Sequence, residues 1–377
     1  MLITRSGLGR GLILATAAAV VGALTACSSG SGSDASTAGA TPDGPASSVS
    51  SSSPSADGVS AFSTAVDPAY DGTDKGNFKT LSQPTVRPGT AFKVGFLQTN
   101  GGQPFLLAMQ NAAETEVKKL GGSFIALDAA SNPQTQASEL SQLISQHVNV
   151  IIADPVVATA LGPGIAQAKK AGIPFVVIGA PADETKSPIP GAATSISQGF
   201  DYSSYATMKA LAAEHPGATF ATIGFAPPVD QLIFMMGRLK YWGEHFGLKF
   251  AGEVDAASDD PSGWGPAAST VLTKYPSATL ILTYNDGSAV AMATTASISG
   301  RKISVACPNA ALSITRDALQ ADKLDLVHRT PWEQEGAQSA IAAYDTLTSQ
   351  DQPLPKFINV NGYIVTPTTA SKATWIS

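Results

Sequence analysis

The sequence predicts an α/β protein built as two doubly wound parallel-sheet lobes, and three observations carry that prediction. From Ala91 onward, short β-branched or apolar runs alternate with amphipathic stretches of 12 to 17 residues. Several of the runs are apolar on both faces, which suits parallel strands covered by helices better than strands with one wet face. The 287 residues from 91 to 377 exceed one comfortable doubly wound sheet, and their strand and helix units fall into two similar series.

The strands are predicted at 92–97, 124–127, 148–153, 175–178, 220–225, 280–283 and 303–307. Between the first two, Leu106, Met109, Ala113, Val117 and Leu120 keep helical spacing, and Gly121-Gly122 supplies the stop. Leu140, Leu143, Ile144 and His147 do the same after Asn132-Pro133, where Asn can cap and Pro fits the first helical position. In open parallel sheets ligands bind beyond the carboxyl ends of the strands, so two such edges facing one another would form a cleft.

Composition excludes several classes of function. The chain of 377 residues holds 29 acidic and 23 basic side chains, for a net charge of −6, so it lacks the clustered Lys and Arg that neutralise phosphates. No nucleic-acid partner is expected. Two cysteines, Cys27 and Cys307, cannot supply a disulfide framework, and with four His they show no zinc-ligand spacing, so neither metal nor cofactor is expected. There is no G-x-S-x-G elbow, H-E-x-x-H or Walker loop, and His147, His215, His245 and His328 are scattered, so the chain does not read as an enzyme. Asp259 and Asp260, in the polar loop D-A-A-S-D-D-P-S-G, are expected to cap a helix that begins near Pro261. Cys307 ends an apolar strand and is expected to be an inert buried thiol.

The N-terminus reads as an address. Residues 1–11 carry Arg5 and Arg10, and residues 12–24 form a 13-residue run, apolar but for Thr16, that ends in small side chains. This is the core of a signal peptide spanning 1–26, since a membrane-spanning helix needs roughly 20 apolar residues. Leu24-Thr25-Ala26-Cys27 resembles the bacterial lipobox, which implies that the thiol of Cys27 is lipidated and the chain is cut just before it. Several acyl chains would then hold the protein on the outer face of the cell membrane, each buried methylene adding about 0.8 kcal/mol. Residues 28–60 contain 13 Ser, 5 Gly and 5 Ala with no Leu, Ile or Phe, too little apolar area to offset chain entropy. They are expected to form a disordered tether with a reach on the order of 30 Å. That expectation extends from Cys27 to residue 90, the spacing of Asp67, Asp71 and Asp74 being wrong for an EF-hand loop.

The segment K-V-G-F-L-Q-T-N-G-G-Q-P-F at 93–105 resembles the first strand and loop of the periplasmic sugar-binding proteins of the ribose-binding type. L-D-A-A-S-N-P at 127–133, Q-L-I-S-Q-H-V-N-V-I-I-A-D-P at 142–155 and A-K-K-A-G-I-P-F-V-V-I at 168–178 follow in the same order and spacing. I-L-T-Y-N-D-G-S-A-V-A at 281–291 resembles a later strand end of that family, and V-H-R-T-P-W-E at 327–333 its last inter-lobe crossing. The resemblance implies a type I periplasmic-binding-protein-like fold, two lobes joined by a three-strand hinge. It would place 91–197 and 330–357 in the N-terminal lobe and 198–329 and 358–377 in the C-terminal lobe. It further implies a monomeric solute-binding lipoprotein that hands a small molecule, a sugar or sugar-like compound, to the permease of an ABC importer. The same module serving a membrane receptor as a sensory input is the second reading.

Carried over residue by residue, the resemblance puts Gln103 and Phe105 where the family has a polar group and a stacking aromatic. Its Asp-Arg clamp is replaced by Gly179 and Ala180, and a second Arg by Phe234. Trp264 falls near an aromatic wall, Asn285 and Asp286 are kept in type and place, and Arg329 stands where Gln is usual. The expected cleft therefore has Phe105, Phe234, Trp264 and Tyr284 as walls and Gln103, Asn285, Asp286 and Arg329 as polar contacts. Phe234 in place of Arg and the gain of Arg329 would favour a ligand with an apolar or aromatic portion, or one carrying a carboxylate or phosphate, with an inter-lobe salt bridge as the alternative role of Arg329.

Overall fold

The structure is a computed structural model that describes residues 65–86, 91–179, 189–348 and 354–377. The signal segment, the lipobox with Cys27, the Ser-rich stretch and Ala180 lie outside the described residues. The first half of the chain runs β1 (Lys93–Gln98), α1 (Pro104–Lys119), β2 (Ser123–Asp128), α2 (Pro133–Ser145), β3 (Val150–Ala153), α3 (Gly162–Lys170), β4 (Phe175–Ile178) and β5 (Thr194–Ser197). It continues with α4 (Phe200–Glu214), β6 (Thr219–Phe225), α5 (Asp230–His245), β7 (Lys249–Ala256), α6 (Pro261–Lys274), β8 (Leu280–Thr283) and α7 (Asp286–Ser299). Last come β9 (Ser304–Ala310), α8 (Ser313–Gln320), β10 (Leu326–Arg329), α9 (Trp332–Thr348), β11 (Phe357–Asn359) and β12 (Tyr363–Val365).

These strands make two six-stranded sheets, ordered β11-β5-β4-β3-β1-β2 and β12-β10-β9-β8-β6-β7. Every pairing is parallel except that of β12 with β10. The central strands β3, β4 and β8 are buried at every position, as their unbroken apolar runs require. Helix starts follow from local chemistry. The Asn132 side chain accepts from the amides of Gln134 and Thr135 at 2.9 and 3.0 Å, and Asp260 caps α6 through the amide of Ser262 at 2.7 Å. Helix α9 lies so close to α1 that a Cβ on Gly336 would stand 2.0 Å from the Met109 carbonyl oxygen, so only glycine fits there.

Among the described residues the chain passes between the sheets three times, after β5, after β10 and after β11. The passages lie side by side and form the hinge. The carboxyl edges of both sheets look onto the space beyond it.

Residues 65–86 correct the expectation of a tether reaching residue 90. They are fastened to both lobes. Tyr70 is fully buried among Tyr202, Tyr205 and Trp242, with ring centroids 5.0, 4.9 and 5.8 Å away. The Asp67 amide donates to the Tyr202 hydroxyl at 3.0 Å, and its carboxylate accepts from Tyr205 and pairs with Lys209, all on α4. The Thr73 amide and hydroxyl both donate to Asp201 Oδ2 at 2.8 Å. On the other lobe, Phe78 forms a parallel bridge with Asn359 of β11, and the Leu81 amide donates to Gln338 Oε1 of α9 at 2.5 Å. The cause is compositional. Tyr70, Phe78 and Leu81 supply apolar area that the Ser-rich stretch before them lacks.

Candidate ligand-binding site

The two sheet edges enclose a cavity whose wall is shared between the lobes. The first lobe contributes Thr99 and Asn100 beyond β1, Gln103 and Phe105 at the start of α1, Asp154 beyond β3 and Trp332 at the start of α9. The second contributes Phe225 at the end of β6, Gln231 and Leu232 in the first turn of α5, Asp259 before α6, Tyr284 and Asn285 beyond β8, and Asn309 of β9. This is the placement that open parallel sheets impose on ligand-facing groups.

Asp259 organises the second lobe's wall. Its Oδ1 accepts from the Tyr284 hydroxyl at 2.8 Å, Asn285 Nδ2 at 2.7 Å and Trp264 Nε1 at 3.3 Å. Burial raises its pKa above the ordinary carboxylate value, against the lowering by these three donors. Burial and the facing Asp259 carboxylate push the Tyr284 phenol far upward, so Tyr284 stays a neutral donor. Its ring stacks on Phe225 at 5.4 Å. Asn285 also caps α7, accepting from the Ser288 amide at 2.9 Å, so its orientation is set by the helix that follows.

Among the described residues, three hydrogen bonds cross the cleft. Gln103 Nε2 donates to the Asp259 carbonyl at 3.0 Å, Gln231 Nε2 to Asp154 Oδ1 at 2.7 Å, and the Ala158 amide to Asp230 Oδ2 at 3.0 Å. The lobes are thus in register with one another across the cavity. Gly179 has φ +62° and a Cβ there would meet Gln231 Oε1 at 2.5 Å, so glycine both allows the turn after β4 and leaves room for Gln231. Burial lifts the Asp154 pKa to about 6, the Thr99 and Gln231 side chains drawing it back down. On the opposite side Phe105 packs on Trp332, ring centroids 4.9 Å apart.

One turn along α9, Glu335 is fully buried with Gln198 Nε2 donating to its Oε2 at 2.6 Å. Burial raises its pKa well above the usual value, and Asp154 pushes in the same direction. A carboxyl whose folded-state pKa is raised adds stability in full below its unfolded-state pKa and loses it as pH rises through the folded-state value. Glu335→Gln is therefore expected to raise the melting temperature at pH 7.5 and to give no gain at pH 4.5, as measured by calorimetric scans at the two pH values.

The structure brings Gln103, Phe105, Tyr284 and Asn285 together in the cavity wall. Trp264 stands one layer back, donating to the Tyr284 hydroxyl at 2.8 Å. Three expected contacts lie elsewhere. Phe234 sits one helical turn past Gln231 and packs, partly buried, against the second lobe's core. Asp286 is fully buried and accepts from the amides of Ala311 and Leu312 at 3.0 and 2.8 Å and from the Thr315 hydroxyl at 2.5 Å, so its carboxylate is consumed in holding the β9–α8 loop. Arg329 is fully buried in the hinge, where it donates to the Thr374 carbonyl at 2.8 Å, to the Thr330 carbonyl, and to both Glu333 oxygens at 2.8 and 3.1 Å. Asp260 caps α6 as expected, but Asp259 does not, and belongs to the cavity.

Sequence reasoning missed Thr99, Asn100, Asp154, Gln231, Asn309 and Trp332. A signal existed for three of them: Thr99-Asn100 come one residue after the apolar run 92–97 and Asp154 directly after 148–153, where the switch-point rule looks for ligand contacts.

Two doubly wound sheets that face each other across a polar and aromatic cavity define a two-lobed α/β binding domain. The chain belongs to the family described as periplasmic binding protein domain, whose model matches residues 94–351. Among curated relatives, the ribose import binding protein RbsB of Bacillus subtilis is 28% identical over 95 residues, 25% of this chain and 31% of that protein. The xylitol-binding protein of Mycolicibacterium smegmatis is 36% identical over 76 residues, 20% of this chain and 22% of that protein. The matched stretches thus span under a third of these relatives. Among solved structures, an ABC transporter solute-binding protein from Bacillus halodurans with bound myo-inositol superposes with TM-score 0.66 at 21% identity, covering 74% of this chain and 96% of that one. The glucose-galactose binding protein GanP from Geobacillus stearothermophilus gives 0.67 at 16% identity, covering 74% and 98%. These structures share the fold.

Proposed function

We propose that this protein is an extracytoplasmic solute-binding lipoprotein that captures a small hydroxylated molecule between its lobes and delivers it to the permease of an ABC importer. The observation that carries the reading is the cavity itself, with hydrogen-bonding groups from both lobes around an aromatic wall and cross-lobe bonds that exist only when the lobes are together. Such contacts are the means by which a ligand favours a closed state over an open one. The ribose and xylitol binding of the relatives and the myo-inositol in a structural neighbour support a sugar or polyol as the ligand class. The sequestration of Arg329 removes the argument for a carboxylate or phosphate ligand.

A thermal-shift screen of the purified protein against ribose, xylitol, myo-inositol, glucose and galactose tests the reading. A ligand at 100 times its Kd stabilises by about 2.7 kcal/mol, a readily measured rise. A flat response across pentoses, hexoses, alditols and inositols would sink it. The proposed anchor has its own test: Cys27→Ser is expected to move the protein from the membrane fraction to the soluble fraction, and membrane retention of the variant would remove the lipid anchor from the reading.

A further inference from the structure

We infer that the ligand of this cavity is a small hydroxylated compound that carries an ammonium group. The inference rests on the solute-binding reading above and narrows its ligand class. The cavity wall holds two carboxylates, Asp154 from one lobe and Asp259 from the other, and among the described residues that line it none is Lys, Arg or His.

Neither carboxylate is neutralised by a described residue. Asp154 Oδ1 accepts from the neutral amide of Gln231, and behind it lies a further buried acid, Glu335. Asp259 Oδ1 accepts from three neutral donors, Tyr284, Asn285 and Trp264, while its Oδ2 accepts from none of the described residues. Asp154 is buried and Asp259 partly buried, and a carboxylate held away from water is normally paired with a cation, because an unpaired one is costly there. Arg329, the cation expected in the cleft, is committed to Glu333 and the Thr374 carbonyl in the hinge.

The rest of the wall suits the same ligand. Phe105, Phe200, Phe225, Tyr284 and Trp332 line the cavity, and an ammonium group is attracted to aromatic faces, most strongly where water is excluded. Asn100, Gln103, Asn285 and Asn309 supply neutral donors and acceptors for hydroxyls. A neutral polyol would satisfy these amides and leave both charges unpaired. An acid would add a third negative charge to them.

Two matched trios of probes test this by titration calorimetry on the full chain: sorbitol, 1-amino-1-deoxysorbitol and gluconate, and glucose, glucosamine and glucuronate. The expected result is that in at least one trio the amine binds about tenfold or more tighter than its neutral partner and the acid does not bind. Asp154→Asn and Asp259→Asn should each reduce that amine-over-neutral preference by about tenfold, with the melting temperature reporting that the variants fold. Equal or tighter binding of the neutral compound would overturn the inference and leave the solute-binding reading standing. Binding of the acid would overturn it as well, and a preference for the amine that survives both Asn variants would remove the two carboxylates as its cause. Absence of binding by all six compounds would count against both.

Discussion

Tyr70→Ala is expected to destabilise the folded protein by about 3–5 kcal/mol, the range for truncating a large buried aromatic. Tyr70 is fully buried in a nest of Tyr202, Tyr205 and Trp242, so its loss opens a cavity that three rigid rings cannot fill. The Tyr70 hydroxyl also donates to the buried carboxyl of Asp74, whose pKa burial lifts to about 7, and removing it leaves that acid without its main partner. Chemical denaturation followed by tryptophan fluorescence is a suitable measurement, since Trp242 lies in the same nest. A loss below about 1 kcal/mol would mean that residues 65–86 rest on the surface without contributing to the core.

The second large effect belongs to the ligand. Phe105→Ala is expected to weaken binding by roughly 30- to 100-fold, the cost of removing a central aromatic anchor from a desolvated pocket. Phe105 is 7% exposed, lines the cavity and packs on Trp332, so its removal frees the Trp332 ring to turn and takes away ligand-facing area on one side of the cleft. The chain should remain folded, because Phe105 lies at the first turn of α1 while Met109, Ala113 and Val117 continue to hold the helix to the sheet. Isothermal titration alongside a melting curve separates the two contributions. Unchanged affinity in a folded variant would remove Phe105 from the site.

The fold was readable where strands are apolar and the site where motifs are local. The runs 92–97, 175–178 and 280–283 overlap β1, β4 and β8 because central parallel strands are buried on both faces and advertise it in every residue. Five other strands were not announced in this way, among them the three-residue β11, F-I-N. β5 is T-S-I-S, β7 is the edge strand K-F-A-G-E-V-D-A, β10 contains His328 and Arg329, and β12 is three residues long. Their burial comes from neighbours distant in the chain, which periodicity does not report. Within the site, Gln103, Phe105 and Asn285 were found because the short segments 93–105 and 281–291 that carry them resemble the family's strand ends and loops. Phe234 was misplaced because one turn of helix separates the face toward the cleft from the face toward the core, and a motif aligned by spacing has that tolerance. Asp286 and Arg329 have the right charge in the right neighbourhood, yet their hydrogen bonds go to Ala311, Leu312 and Thr374, partners that no local pattern names, and Arg329 takes up its alternative role by pairing with Glu333 four residues on.

The segment 65–86 also limits how far the lobes can swing. Its residues up to Thr73 are secured on α4 of one lobe and Phe78 on β11 of the other, so a fourth connection runs beside the three covalent passages. Five residue steps separate Thr73 from Phe78, and an extended chain covers at most about 3.3–3.6 Å per residue, on the order of 17 Å in all. That leash sets a ceiling on the opening stroke. Any motion that carries these anchors further apart has to unfasten Thr73 from Asp201 or Phe78 from Asn359 first, so the opening is held in check by a piece of chain that supplies no residue to the cavity wall.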